Sequence, residues 1–119
     1  MERDPSSFLW DARESADTIL LFVAGISEEQ YLTNEMLRAA VERHFVTIGE
    51  ALGRLAKVSP ELGSKIPDLA RAVAFRNVLV HGYEIVKPQT VWLIIQEDLP
   101  ALRESVIALL AELKKDPTT

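Results

Sequence analysis

Apolar residues recur along this chain at steps of three and four, a spacing that predicts helices from one end to the other. Leu9, Ala12, Ala16, Ile19 and Val23 form the first stripe, with Arg13, Glu14 and Asp17 between them. Ser6 or Ser7 suits its start as a cap, and Gly25 suits its end. A polar connector, "ISEEQYLT", follows. A second helix is predicted from about Asn34 to Val58 with Thr33 as its cap, on the stripe Leu37, Val41, Phe45, Ile48, Leu52 and Leu55. Gly49 and Gly53 lie four apart within it. Because glycine disfavours a helix interior by about 0.5–1 kcal/mol relative to alanine, two on one face predict a close helix crossing.

"SPELGSKIP" reads as a loop in which Pro60–Gly63 can form a helical turn. A third helix is predicted from about Asp68 to His81, stopped by Gly82. A last one runs from about Gln89 to Lys115 on Trp92, Ile95, Leu99, Leu102, Val106, Leu109 and Leu113. Pro100 lies inside it. Proline lacks the amide donor and clashes with the preceding turn, so a kink or break is expected near Asp98. No segment alternates as a strand. The expected fold is all-α, an antiparallel four-helix bundle counted as five helices if Pro100 breaks the last, in one domain spanning residues 1–119.

Composition narrows this only slightly. With 119 residues, 48% hydrophobic and 26% charged, the chain can bury a core and is ordinary for a globular protein. No run reaches the roughly 18–20 apolar residues of a membrane span, and the acidic start lacks the apolar segment of a secretory signal. Cysteine is absent, which fits a reducing cytoplasm. A net charge of −5 argues against a broad basic surface, so any nucleic-acid chemistry must be local, in a cleft whose positive charge contrasts with the rest.

Metal and phosphate-loop motifs are missing. There is no glycine-rich phosphate loop, no His-Glu-x-x-His, and no acidic cluster at ligand spacing around either histidine, His44 or His81. Serines lack a nucleophile-elbow context. His44 reads as a boundary side chain, Phe45 and Trp92 as core residues, and Glu50 either as a solvated carboxylate or as a group orienting a nearby arginine.

The segment "RNVLVHGY" (76–83) is different. At about 100° per residue, Ala72, Phe75, Val78 and Leu79 form one apolar arc, and Val73 and Val80 a second, almost opposite. Arg76 falls in one gap between the arcs, and Asn77 with His81 in the other. A helix apolar on two sides expects cover on two sides, most simply from the same helix of a second copy. Two readings stay open. His81 next to Gly82 suits a helix end, where the macrodipole favours a cation. Equally, arginine binds phosphate with a planar fork and histidine moves protons near neutral pH, the equipment of RNA cleavage without a metal ion. One chain offers one such histidine, and two copies would offer two.

Arg76-Asn77-x-x-x-His81-x-Tyr83 resembles the Arg-x4-His-x-Tyr motif of HEPN-domain proteins, and specifically of the HepT-like toxins of MntA/HepT toxin–antitoxin pairs. "AVERHFVTIGEALGRL" (40–55), with Ile48–Ala51 as Ile-Gly-Glu-Ala, is similar to the family's second helix, and "VWLIIQEDLPAL" (91–102) to its last. The resemblance implies a homodimeric, metal-independent, cytoplasmic endoribonuclease with no cofactor and RNA as substrate. It implies catalytic roles for Arg76 and His81 and a supporting role for Asn77, to which the reading of Glu50 as an arginine-orienting group adds a second supporting residue. It also implies silencing by an MntA-like nucleotidyltransferase antitoxin that transfers AMP to Tyr83. A non-catalytic subunit assisting a nucleotidyltransferase is the alternative. One departure stands out: Asp68 follows Pro67 where the family often has an aromatic, which bears on local packing more than on catalysis.

Overall fold

The computed structural model describes residues 3–82 and 86–114, and they form the expected all-helical bundle. Helix α1 spans Pro5–Val23, α2 Glu28–Leu32, α3 Glu35–Val58, α4 Pro60–Gly63 and α5 Leu69–His81. Helix α6 (Pro88–Leu93) runs through a π-helical turn, Ile94–Asp98, into α7 (Leu99–Lys114). Helix α3 lies in the middle, packed against α1 on one side and α5 on the other, while α7 closes the core against α1.

Most of the core comes from the periodic stripes, joined by Phe8, Tyr31, Ala51, Ile66 and Val91, while Leu37, Trp92 and Leu113 of the stripes are only partly buried. Leu9, Ile19, Val41, Ile48, Leu52, Leu55, Ile95, Leu99 and Val106 are all buried almost completely. Each side chain of this size contributes roughly 1.5–3 kcal/mol by leaving water. Phe45 is buried and meets Phe75 of α5 edge-to-face at 5.2 Å, which docks α5 on α3. Trp92 stacks at 5.4 Å on Tyr31, a fully buried side chain of α2.

Several local expectations change. Asp4, not Ser6 or Ser7, caps α1: its carboxylate accepts from the Ser6 amide and hydroxyl, both at 2.9 Å, with Pro5 in the first turn where its missing N–H is harmless. Those bonds hold the Asp4 carboxyl below its ordinary pKa. Helix α3 is capped by Asn34 rather than Thr33, Asn34 Oδ1 accepting from the Leu37 amide at 3.0 Å. The connector is itself partly helical, because Ser27 and Gln30 form a reciprocal capping box that nucleates α2. Pro100 neither breaks nor ends the last helix. The Leu99 amide bonds back to the Ile94 carbonyl, five residues away, and this wider turn shifts the carbonyls out of the register in which the proline ring would strike one.

Candidate active site

Helix α5 carries the candidate residues, and its position depends on a missing side chain. A Cβ built on Gly49 would lie 2.2 Å from Arg76 Cβ and 2.9 Å from the Ala72 carbonyl oxygen, so only glycine lets α5 approach α3 this closely. Gly53, one turn on, sits in ordinary contact: its Cβ would be 3.7 Å from Val73. The close crossing read from the glycine pair therefore centres on Gly49. Gly82 ends α5 in the left-handed conformation (φ 64°), its amide bonding the Val78 carbonyl. Asp68 sits at the start of α5 without a capping bond from its side chain and faces Arg71 at 3.8 Å. A carboxylate with a cationic neighbour thus follows Pro67 at the entry to α5.

The Gly49 contact seats the base of the Arg76 side chain in the α3–α5 seam. Its Nη1 donates to Asn77 Oδ1 at 3.1 Å, and its Nη2 lies 3.8 Å from Glu50 Oε1. The Nε is buried without a hydrogen-bond partner among the described residues. The side chain is 29% exposed and that of Glu50 39%, so the pair is a half-open one that contributes about 0–1 kcal/mol and leaves the guanidinium able to exchange partners. Arg76, Asn77 and Glu50 are thereby brought together: the Glu50 contact fits its reading as a group orienting an arginine, whereas the spacing had set Asn77 with His81, in the other gap from Arg76.

His81 is the last residue of α5, exposed, one turn beyond the exposed Asn77. It lies five positions beyond Arg76, which places the two about 140° apart around the helix axis. A single chain therefore presents the arginine and the histidine on different sides of α5. Tyr83 lies outside the described residues. Helix α5 has no fully buried residue: Ala72, Phe75 and Leu79 pack partly on the core, whereas Val78 and Val80 are 39% and 46% exposed. Val78 thus leaves the core arc read from the sequence, and Val73 of the second arc is half-covered by α3.

His44 is a boundary side chain, its Nδ1 3.1 Å from the buried Ser15 hydroxyl and its ring edge-on to Phe22. Among the described residues no three His, Cys, Asp or Glu side chains are grouped to hold a metal ion, and no helix is long and apolar enough to cross a membrane. Sequence reading missed the polar ridge on the outer face of α3, where Arg43, Thr47, Glu50 and Arg54 line a hollow with Arg3 and Asp11 of the N-terminal segment and α1. Its four-three-four spacing opposite the core stripe was the available signal.

The described residues thus form an all-helical bundle that carries Arg76, Asn77 and His81 on α5, a long helix with no fully buried residue. A family model described as "Ribonuclease HepT-like" matches residues 12–109, and the chain belongs to this HepT-like family. A protein of Methanocaldococcus jannaschii provisionally named RNase MJ1380 is 32% identical over 107 residues, 88% of this chain and 95% of its own. The "Probable ribonuclease HepT" of Thermococcus cleftensis is 30% identical, over 87% of this chain and 93% of its own. A protein of Caldanaerobacter subterraneus provisionally named RNase TTE0752 is 29% identical, over 94% and 99%. No solved structure matches the chain significantly.

Proposed function

We propose that residues 1–119 form one HEPN-like domain acting as the toxin of a HEPN/MNT toxin–antitoxin pair, a cytoplasmic endoribonuclease that needs no metal ion. The observation that carries this reading is Arg76, seated in the α3–α5 seam by Gly49 with its fork in a half-open pair with Glu50. Membership of the HepT-like family and relatives named as ribonucleases support it.

In this mechanism a His81 imidazole takes the proton of a ribose 2′-hydroxyl, and the 2′-oxygen attacks the adjacent phosphorus. Arg76 leaves Glu50 to stabilise the charge gathering on the non-bridging oxygens. The bond to the 5′-oxygen then breaks, and a second histidine returns a proton to it. Because Arg76 and His81 diverge around α5, the second imidazole comes from another copy of the chain in a homodimer. Asn77, bonded to Arg76, holds the fork between turnovers. Transfer of AMP by a nucleotidyltransferase antitoxin to Tyr83, two residues beyond His81, places negative phosphate beside the site and repels RNA.

The test is cleavage of RNA in the presence of a chelator. Arg76→Ala and His81→Ala are each expected to lose at least about 100-fold in rate while remaining folded. Undiminished cleavage by both would overturn the assignment. Co-expression with the nucleotidyltransferase is expected to add AMP to the wild-type chain and to leave Tyr83→Phe unmodified and toxic, as read by intact-mass spectrometry and growth. The net charge of −5 favours a second reading, a non-catalytic subunit that helps a nucleotidyltransferase hold its substrate. It predicts no cleavage by the wild-type chain.

A further inference from the structure

Opposite its core stripe, α3 carries a narrow polar ridge. Arg43, Thr47, Glu50 and Arg54 fall at steps of four, three and four and so share one face. The N-terminal segment and α1 wall the ridge with Arg3 and Asp11, and together these side chains line a hollow of about 210 Å³. From the other flank Arg76 of α5 reaches Glu50, so the ridge is continuous with the candidate active site.

The charges in this hollow do not cancel. Arg3 is paired with Asp11 at 2.9 Å, and Glu50 is engaged by Arg76 at 3.8 Å. Arg43 and Arg54 are exposed and form no ion pair among the described residues. Two uncompensated guanidinium groups therefore stand in one groove of a chain whose net charge is −5. At a rise of 1.5 Å per residue they are about 16 Å apart along the axis, too far to share one phosphate and well placed to hold two along a strand. A surface acidic elsewhere repels a polyanion, and this confines it to the groove.

We infer that the ridge is a phosphate-binding track for the single-stranded RNA substrate, with Arg43 and Arg54 holding backbone phosphates on either side of Glu50 and steering the strand to Arg76. The track rests on the ribonuclease reading for its substrate. The groups are arginines, whose planar forks match phosphate oxygens in pairs. They read backbone charge rather than base identity, so the track adds affinity without sequence preference. Glu50, kept occupied by Arg76, divides the track and hands the strand over when Arg76 changes partner.

The test uses the full-length chain carrying His81→Ala, so that a labelled single-stranded RNA oligonucleotide stays intact while its binding is titrated across a range of salt. Adding Arg43→Ala or Arg54→Ala is expected to make the plot of log K against log salt shallower by about 0.7 for each arginine, and by about 1.4 for both. Lys65→Ala, which removes the partner of Glu112 outside the groove, leaves the slope in place. The arginines are exposed, and matching circular-dichroism melts check the fold of each variant. A double variant that keeps the parental slope and affinity overturns the track, as does one that keeps them while losing capture of the nucleotidyltransferase, which would make the ridge a protein-docking surface. Cleavage by the chain with His81 intact is measured separately. A shallower slope without cleavage leaves the track standing and fells the catalytic reading, and cleavage with an unchanged slope does the reverse.

Discussion

Two glycines four residues apart on α3 have opposite claims on the fold. Replacing Gly49 puts a methyl group 2.2 Å from Arg76 Cβ and 2.9 Å from the Ala72 carbonyl, atoms near or in the α5 backbone that cannot swing aside. Overpacking of this kind costs about 1–3 kcal/mol, more than the 0.5–1 kcal/mol that alanine returns in a helix interior. Gly49→Ala is therefore expected to lower the melting temperature and to slow RNA cleavage by lifting Arg76 from its seat. At Gly53 the nearest atom is 3.7 Å away, the clash term vanishes, and Gly53→Ala is expected to stabilise the fold. Parallel melts of the two variants decide it. Tyr31 makes a pH-dependent claim. Burial, with the nearby Glu42 carboxylate adding and Arg38 opposing, pushes its hydroxyl up to about 12 from 10.0. Above pH 10 the unfolded chain gives up this proton and the folded chain keeps it, so stability falls as pH rises from 10 towards 12. Melts across that window should fall more steeply for the wild type than for Tyr31→Phe, and parallel curves would remove Tyr31 as the cause.

At the scale of elements, legibility follows the length over which a pattern repeats. The stripes of α1, α3 and α7 run for several turns, and most buried residues of these helices are readable from them, whereas Phe8, Ser15, Val46 and Ala51 are buried off the stripes. The five-residue α2 is too short to show a period, and it passed as a connector although Ser27 and Gln30 spell its capping box. The π turn at Ile94–Asp98 was foreshadowed by Pro100 as a disturbance, but its form depends on the Ile94–Leu99 hydrogen bond and on packing that holds both flanks in place. The Arg76–Glu50 pair was half-legible, since the two residue types were in view and only the Gly49 contact aligns them. The ridge on α3 needed its walls, because four polar residues on an outer face read as solvated until α1 and α5 turn that face into a groove. Asn34, which starts the helix carrying this ridge, can be probed alone. Its side chain accepts from the Leu37 amide at 3.0 Å, and Asn34→Ala is expected to cost about 0.5–2 kcal/mol in chemical denaturation. Thr33→Ala would cost more than Asn34→Ala only if the cap lay one residue earlier.

For the whole molecule, the unfinished element is α5. It supplies no fully buried residue, and Val78 and Val80 remain 39% and 46% exposed beside the candidate catalytic groups. Val80 lies one turn beyond Arg76 on the same side of the helix, and His81 one turn beyond Asn77 on the next. A surface that covered Val80 would thus be pressed against Arg76, and a twofold arrangement would bring the partner's residues to the same place. This ties self-association to catalysis through one side chain that the isolated fold does not need. Val80→Glu is accordingly expected to change the melting temperature of a dilute sample only slightly, since nearly half of the replaced residue already faces water. In sedimentation velocity the variant should run as a monomer at concentrations where the wild type is a dimer, and its RNA cleavage should fall with the dimer fraction. Raising the protein concentration should recover part of both together. A wild type that sediments as a monomer at high micromolar concentration, or a monomeric variant that still cleaves at the wild-type rate, would separate the two and return α5 to the role of a capped surface helix.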